Sequence, residues 1–222
     1  MKNKQIVFTA PKTAEVLEKD IPNLEADDIL VKMEYTVISG GTERACLLAM
    51  NNTPQKFPIS LGYCGVGDVA EVGEKVTKVK CGDRVLVYHG THATYNIRKE
   101  NEITRVENEN VSSLEAAFVI IASMSLGGVR KLEIEIGESA MVMGQGILGI
   151  FATQFCRLNG ANPVIAVDLN ARRRELALEM GADFAFDPRE ADFVEKVKDV
   201  TKGNGVSACV EVTGVSKALN QA

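Results

Sequence analysis

Hydrophobic and polar residues alternate differently in the two halves of the chain. In residues 1 to about 110, short apolar stretches are separated by turn residues such as Pro22-Asn23 and Gly82-Asp83. This pattern predicts strands at Gln5–Thr9, Ile29–Val37, Gly67–Val72 and Arg84–Tyr88. We therefore predict that the first half is β-rich and folds as a partly open barrel or a sandwich.

From Ser112 onward the pattern changes to alternating strands and helices. Ser112-Ser113-Leu114-Glu115 has the composition of a helix start, and the apolar run Ala116–Met124 continues it. The following segments are strand Glu138–Met143, helix Gly146–Leu158, strand Val164–Asp168, helix Ala171–Met180, strand Phe184–Phe186, helix Ala191–Thr201 and strand Ala208–Val212. The order predicts an α/β fold with a doubly wound parallel sheet, and domains at residues 1–111 and 112–222.

A glycine-rich turn joins the first strand and the first helix of this second pattern. In Val142-Met-Gly-Gln-Gly-Ile-Leu-Gly149, Gly144 permits a tight turn, Gly146 lets the backbone approach a diphosphate, and Gly149 lets the helix pack closely on the sheet. The helix start directs free N–H groups and about +0.5 of an elementary charge to the same place. We predict dinucleotide binding at Gly144, Gln145, Gly146, Ile147, Leu148 and Gly149. An ordinary α/β crossover, with glycines kept for packing, is the alternative.

The end of the next strand carries an acid that fits the same ligand. Asp168 lies 24 residues after Gly144, where a carboxylate can bond the ribose hydroxyls of an adenosine. Its charge repels a 2′-phosphate by about 4 kcal/mol at about 4 Å and an effective dielectric constant of about 20. This favours NAD(H). Arg172 and the two arginines after it either clamp a 2′-phosphate or form a solvated helix face, so NADP(H) stays open.

Composition and charge exclude several classes of protein. The 222 residues are 45% hydrophobic and 25% charged, with a net charge of −5, as in ordinary globular proteins of one or two domains. The mild acidity gives no argument for nucleic acid or an anionic membrane as a partner, so we predict neither, and no apolar run reaches the roughly 20 residues of a membrane span. Five scattered cysteines without a CxxC pair indicate reduced thiols, so we predict a cytoplasmic protein.

Several short motifs occur in order along nearly the whole chain. They are Gly40-Gly-Thr-Glu43, Pro58-Ile-Ser-Leu-Gly-Tyr-Cys64, Gly65-Val-Gly-Asp-Val-Ala-Glu-Val-Gly73, Gly82-Asp-Arg-Val85, Glu115-Ala-Ala117, the glycine turn, Gly181-Ala-Asp183 and Val210-Glu-Val-Thr-Gly214. Together they resemble the medium-chain dehydrogenase/reductase superfamily, which contains the zinc alcohol dehydrogenases. The resemblance implies a GroES-like N-terminal domain and a Rossmann domain that is incomplete here, because the family's C-terminal third has no counterpart. It also places Thr213 and Gly214 at the cofactor.

This chain departs from that superfamily at the positions of the catalytic zinc. Gly40 stands at the ligand cysteine, Tyr63 at the ligand histidine and Cys64 at the adjacent glutamate, and Val119–Ala122 covers the later ligand. Zinc needs thiolate, imidazole or carboxylate ligands, so we predict a member without zinc. A zinc site is the alternative, assembled from Cys46, Cys64, His89 and His92.

The resemblance points to two catalytic candidates. Thr42 matches a hydroxyl that relays the alcohol proton in the family, and the Tyr63 phenol can donate to a developing oxyanion. The alternatives are that Thr42 caps the helix that follows it and that Tyr63 is a packed aromatic with a satisfied hydroxyl. Glu43 matches an acid behind the metal, and without the metal we expect it to pair with Arg44 or Arg84.

The leading hypothesis is an NAD(P)-dependent oxidoreductase that moves hydride between nicotinamide and a small molecule. The substrate is an alcohol or carbonyl, or an activated alkene or quinone, whose conjugation lessens the need for a metal. The alternatives are a catalytically inactive nucleotide-binding module and a fragment of a longer dehydrogenase. The last strand, Ala208–Val212, is expected at a bare sheet edge, which favours a homo-oligomer or pairing through that edge.

Overall fold

The computed structural model describes residues 1–220. The chain divides into two compact units, Met1–Ile120 and the residues from Ile121 onward. None of the helices in the described residues combines the length and the apolar character that crossing a bilayer requires.

The first unit is β-rich, as its alternating pattern predicts. Its elements are β1 (Lys2–Ala10), β2 (Thr13–Asp20), β3 (Ile29–Val37), α1 (Gly40–Leu47), β4 (Cys64–Val72), β5 (Arg84–Tyr88), β6 (Tyr95–Arg98), β7 (Ile103–Arg105) and α2 (Ser113–Ala117). β1 and β2 pair as an antiparallel ribbon. The remaining strands form an antiparallel sheet in the order β6-β3-β4-β5-β7.

Alternate residues of the central strands build the core of this sheet. Ile29 and Val31 of β3 and Val85 and Val87 of β5 are fully buried, and they pack with Val69 of β4. The spacing of two follows from the strand, whose successive side chains point to opposite faces. Each such side chain contributes about 1.5–3 kcal/mol by leaving water.

The helix predicted from Ser112 begins where expected but is interrupted. The Ser112 hydroxyl accepts the Glu115 N–H at 3.2 Å, and Glu115 accepts the Ser112 N–H at 2.9 Å, which is a capping box. The Ser112 hydroxyl also donates to the Glu115 carboxylate at 2.6 Å, and this bond, with the one from the Ser112 N–H, holds the pKa of Glu115 below its ordinary value. α2 ends at Ala117, with Phe118 as its C-cap residue, and α3 (Val119–Arg130) follows and includes Gly127 and Gly128. The prediction of one helix from Ser112 through Met124 was therefore wrong. The segment forms two helices, and the second extends to Arg130.

The second unit is built on a parallel sheet with helices between its strands. After α3 its elements are β8 (Ala140–Met143), α4 (Ile147–Leu158), β9 (Val164–Val167), α5 (Ala171–Glu179), β10 (Phe184–Phe186), α6 (Phe193–Val200), β11 (Ala208–Glu211) and α7 (Ser216–Leu219). The strand order is β10-β9-β8-β11, and every pair is parallel. Within the described residues β11 is the last strand on its side of the sheet.

The two central strands are buried on both faces. All residues of β8 and β9 are at most 3% exposed. Val142 and Val164 pack with Cys156 of α4 on one side, while Met143 and Ile165 pack with α6 on the other. This burial explains the unbroken apolar runs in the sequence, because parallel strands are covered by helices on both faces.

The first turns of α4 approach β8 so closely that a side chain cannot enter. A Cβ built on Gly149 lies 1.7 Å from the carbonyl oxygen of Gly144. A glycine at position 149 is therefore required by packing, independently of any ligand.

We expect Gly149→Ala to lower the free energy of unfolding by about 2 kcal/mol or more, because the added methyl group overpacks the contact. The matched control is Gly128→Ala on the exposed surface of α3, where a Cβ meets no atom within 4 Å. This change should raise the free energy of unfolding by up to about 1 kcal/mol through helix propensity. Urea unfolding measures both values, and an unchanged midpoint for Gly149→Ala contradicts the packing argument.

Candidate functional site

A cavity of about 810 Å³ opens at the carboxyl ends of the parallel strands in the second unit. Residues after β8, β9, β10 and β11 line it, as expected for a ligand crevice in an open α/β sheet. The lining consists of Met143, Gly144, Gly146, Val167, Asp168, Leu169, Asn170, Arg173, Pro188, Arg189, Val212, Thr213, Val215 and Ala218.

The glycine turn forms one wall of this cavity. Gly144 has a φ of +92°, which a glycine adopts without strain, and its N–H donates to Val167 O at 2.7 Å. Gly146 precedes α4, and a Cβ at that position meets no atom within 4 Å. Gly146 offers no side chain to cap α4, so the helix presents backbone N–H groups and its positive end at the wall. This surface fits a diphosphate.

The other residues of the turn hold it in shape. The Gln145 side chain is buried, where it donates to Val142 O at 2.8 Å and accepts from the Thr153 hydroxyl at 3.0 Å. Ile147 is partly exposed, and the Leu148 carbonyl accepts from Ser125 at 2.9 Å. Any contact between Gln145 and a ligand therefore comes from its backbone.

Asp168 fastens the glycine turn to the end of β9. One carboxylate oxygen accepts the Gln145 N–H at 2.7 Å, and the other accepts the Asn170 N–H at 2.8 Å. Its side chain is 9% exposed and lines the cavity. Each carboxylate oxygen has a second acceptor site, so these bonds leave room for ribose hydroxyls.

The arginines of α5 point in different directions. Arg172 is 91% exposed, pairs with Glu175 at 3.8 Å and does not line the cavity. Arg173 does line it, with Nη1 3.6 Å from an oxygen of Asp168. The sequence shows the run of arginines but not the phase of the helix. That phase is set by Asn170, which accepts the Arg173 N–H as the N-cap.

A second arginine at the cavity, Arg189, was not predicted from the sequence. Arg189 donates to the Leu169 carbonyl at 3.1 Å and to Asp187 at 2.6 Å. The side-chain and backbone N–H groups of Arg189 that donate to Asp187, with the charges of Arg189 and Arg174, lower the pKa of Asp187 below its ordinary value. Asp187 follows β10 directly, and a polar residue at the end of a parallel strand was a usable signal for this position.

Thr213 and Gly214 follow β11. Thr213 lines the cavity, and both its backbone N–H and its hydroxyl donate to Glu211. Gly214 has a φ of +68°. The turn that they form belongs to the same cavity wall as Val212 and Val215.

In the first unit, Thr42 lies in the exposed first turn of α1. The alternative that it caps the helix is wrong, because α1 begins at Gly40 and its N-cap residue is Ser39. The expected pairing of Glu43 with a surface arginine is wrong as well. Glu43 is buried and its carboxylate lies 2.8 Å from Nε2 of His92, a partner that is distant in sequence.

Tyr63 lies next to a second tyrosine. The phenol oxygens of Tyr63 and Tyr88 are 3.3 Å apart, and the two rings meet edge to face. The Tyr88 ring also contacts the His89 ring, with centroids 3.8 Å apart and planes tilted by 40°. The bond to Tyr88, together with burial, raises the pKa of Tyr63 to about 12. Tyr63 is therefore a neutral phenol across the physiological pH range and can donate a hydrogen bond.

The side chains at the zinc positions of the resemblance do not fit a zinc ion. Gly40 has no donor, Tyr63 is a protonated phenol, and the Cys64 thiol is buried and donates to Ala117 O at 3.6 Å. Among the described residues, three or more potential ligands converge only at Glu25, Asp27 and Asp28. Cys46, Cys64, His89 and His92 form no such group. The acidic cluster already binds the Lys99 ammonium, at 2.7 Å from Asp27.

Two family models match the chain. The alcohol dehydrogenase GroES-like domain matches residues 25–153, and the zinc-binding dehydrogenase model matches residues 148–222. An alcohol dehydrogenase of Cupriavidus necator is 27% identical over 98% of this chain and 72% of its own length. D-Guloside 3-dehydrogenase of Escherichia coli is 28% identical over 99% and 69%.

A solved structure shares the fold. A Sinorhizobium meliloti protein of the zinc-binding dehydrogenase type, crystallised with NADP, superposes with a TM-score of 0.87 at 26% identity. The match covers 99% of this chain and 72% of that protein.

The phenol pair supports a prediction about Tyr63. In Tyr88→Phe, the pKa of Tyr63 should fall from about 12 towards the ordinary value of about 10, because the bond to the second hydroxyl is lost. A titration of the tyrosine ¹³Cζ signals by NMR measures it, with Tyr95→Phe as the control that leaves Tyr63 unchanged. Titration of Tyr63 at the same pH in wild type and Tyr88→Phe contradicts the assignment.

Proposed function

The chain belongs to the medium-chain dehydrogenase/reductase superfamily, in its alcohol dehydrogenase branch of NAD(P)-dependent oxidoreductases, and from this premise we propose that it transfers hydride between NAD(H) and a small molecule without zinc. The match bears out the fold class, a GroES-like domain followed by a Rossmann-type parallel sheet. The cofactor preference, the zinc independence and the substrate are the proposal.

The open position at Gly146 carries the proposal. It combines a backbone without a side chain, a helix start without a side-chain cap and a cavity large enough for part of a dinucleotide. The turn is held from behind by Gln145 and Asp168, so its N–H groups are oriented before a ligand arrives. Such preorganisation reduces the entropic cost of binding a diphosphate.

The charge at the cavity favours NAD(H) over NADP(H). Asp168 is held in the wall by two backbone N–H groups, and a negative charge there opposes a 2′-phosphate. The nearby guanidinium of Arg173 offsets part of that charge. We therefore propose a preference for NAD(H) in which NADP(H) still binds.

The hydroxyl groups of the first unit supply the proton chemistry of the proposal. Bound nicotinamide supplies the hydride donor or acceptor. Thr42 passes a proton to or from the substrate oxygen, and its exposed position in α1 leaves the hydroxyl accessible. Tyr63 donates a hydrogen bond to the oxygen as negative charge develops on it, and the Tyr88 hydroxyl can then donate to the Tyr63 oxygen.

The residues at the zinc positions of the resemblance influence which substrate class we propose. A carbonyl gains several kcal/mol from Lewis-acid polarisation, and Gly40, Tyr63 and Cys64 are not the ligands that hold such a metal. Reduction of an enone or a quinone needs less polarisation, because conjugation spreads the charge. We propose these substrates beside small alcohols and carbonyls.

A second candidate function is a nucleotide-binding module without catalysis. The replaced zinc ligands favour it, because the cofactor cavity is present while the family's metal chemistry is not supplied at the matching positions. Oxidation of NADH by the purified protein with a panel of quinones and enones excludes this candidate.

The cellular location and the assembly state also stay predictions. The cytoplasmic location rests on the five cysteines, none of which forms a disulfide, because a reducing compartment keeps thiols in that state. A homo-oligomer or pairing through β11 rests on the outer position of that strand in the described sheet.

We expect Gly146→Val to weaken NADH binding by about 100-fold, or about 2.8 kcal/mol, because the branched side chain occupies the open space beside the turn. NADH fluorescence on the purified protein measures the dissociation constant, and Gly128→Ala is the folded control that binds like the wild type. Equal binding by Gly146→Val and wild type overturns the proposed site.

Substitutions of the two neighbouring arginines, Arg173 and Arg172, should differ in their effect on NADPH binding. Arg173→Ala should weaken NADPH binding by about tenfold and leave NADH binding nearly unchanged, because Asp168 loses the cation that offsets its charge. Arg172→Ala removes an equal charge from the exposed face and should change neither affinity. Calorimetric titration with both cofactors tests this, and equal effects of the two substitutions argue against the assignment.

A further inference from the structure

A buried hydrogen-bonded chain in the first unit has no part in the function proposed above. Nδ1 of His92 lies 2.8 Å from the Thr36 hydroxyl, and Nε2 lies 2.8 Å from the Glu43 carboxylate. His92 and Glu43 are each 8% exposed. Since an ionised carboxylate only accepts hydrogen bonds, the bond to Glu43 requires a hydrogen on Nε2.

This chain of bonds joins the start of α1 to two other segments. The second oxygen of Glu43 accepts the N–H of Ser39, the N-cap residue of α1, at 2.7 Å. Thr36 lies near the end of β3, and His92 lies in the loop between β5 and β6. The first turn of α1 is thus held by a residue that follows it by 49 positions.

His92 also holds the segment that leads to Tyr63. Its backbone N–H donates to the Leu61 carbonyl at 2.9 Å. Gly62 packs so closely on this loop that a Cβ there lies 2.6 Å from the Cα of Thr91. One histidine therefore contacts the immediate neighbourhood of both Thr42 and Tyr63.

We propose that His92 is a positioning residue: its imidazole fixes the first turn of α1 through Glu43, while its backbone N–H ties the same loop to Leu61, near Tyr63. The inference rests on the proposed function, because it assigns a purpose to this placement only if Thr42 and Tyr63 act on a substrate. A buried carboxylate without its partner is strongly unfavourable, so the turn and the imidazole are ordered together.

The first experiment measures order in the turn without requiring turnover. Amide hydrogen exchange is recorded on the full chain with saturating NADH for wild type, His92→Leu and the double variant Glu43→Leu/His92→Leu. The double variant replaces both polar partners, which avoids an unpaired buried charge if His92→Leu does not fold. Exchange in residues 39–43 should rise about tenfold, while exchange in α4 stays unchanged. His89→Asn, at the other histidine of the chain, is the control without effect on the turn.

A conservative variant separates positioning from simple packing. Glu43→Gln keeps every hydrogen bond if the imidazole changes tautomer: the introduced amide then donates to Nε2, and Nδ1 carries the hydrogen and donates to Thr36. The ¹⁵N shifts of the His92 ring should show hydrogen on Nε2 in the wild type and on Nδ1 in Glu43→Gln. Exchange in residues 39–43 should then match the wild type. Unchanged exchange in the double variant, or an unchanged tautomer in Glu43→Gln, overturns the proposal.

Kinetics distinguish failure of this inference from failure of the proposed function. With whichever quinone or enone the wild type reduces, the double variant should lose about 100-fold in kcat, as expected for displaced catalytic groups, and keep its affinity for NADH. A wild-type kcat in the double variant overturns the positioning role alone. No turnover by the wild type overturns the proposed function, and the exchange and tautomer measurements then still decide whether His92 orders the turn.

Discussion

The second unit depends on the close approach of α4 to the end of β8. There is no space for a side chain between Gly149 and the Gly144 carbonyl. The backbone turns sharply at Gly144, which has a φ of +92°. Asp168 then bonds the turned backbone from the end of β9, and Gln145 bonds it from within the core. Three separate restraints thus fix one loop and leave its outer side, at Gly146, open to a ligand.

The same arrangement explains why Asp168 has two roles that are easily confused. Its position after a parallel strand suggests contact with a ribose, yet in the structure both oxygens already accept backbone N–H groups. A substitution at Asp168 therefore changes the turn as well as the charge of the cavity. Arg173 changes the charge alone, since its guanidinium reaches the carboxylate from a half-exposed position.

The first unit keeps the architecture of the alcohol dehydrogenases, while its side chains at the zinc positions of the resemblance differ. Tyr63 stands at a ligand histidine in the resemblance and is paired with Tyr88 instead. Glu43 stands behind the metal in the resemblance and binds His92 instead. The fold thus sets where these groups lie, but the side chains set what they can do, so the function has to be argued from the residues.

Sequence reasoning succeeded where the pattern is local and strong. The buried runs of β8 and β9, the glycine turn and the helix start at Ser112 each follow from short motifs, and each lies where predicted. β2 was missed because most of its residues are exposed and show no alternation. The His92–Glu43 bond was missed because the two residues meet only through the tertiary fold. Arg173 could not be singled out within the run of three arginines, because only the helix cap decides which of them faces the cavity.

The central claim is that the start of α4 binds the diphosphate of a dinucleotide. A titration of ¹⁵N-labelled protein with NADH, followed by ¹H–¹⁵N correlation spectra, tests it most directly. The account predicts saturable shifts of the amide signals of Gly146, Ile147 and Leu148, with smaller changes along the remainder of α4. If NADH binds while these signals stay in place, the dinucleotide lies elsewhere and the account is contradicted.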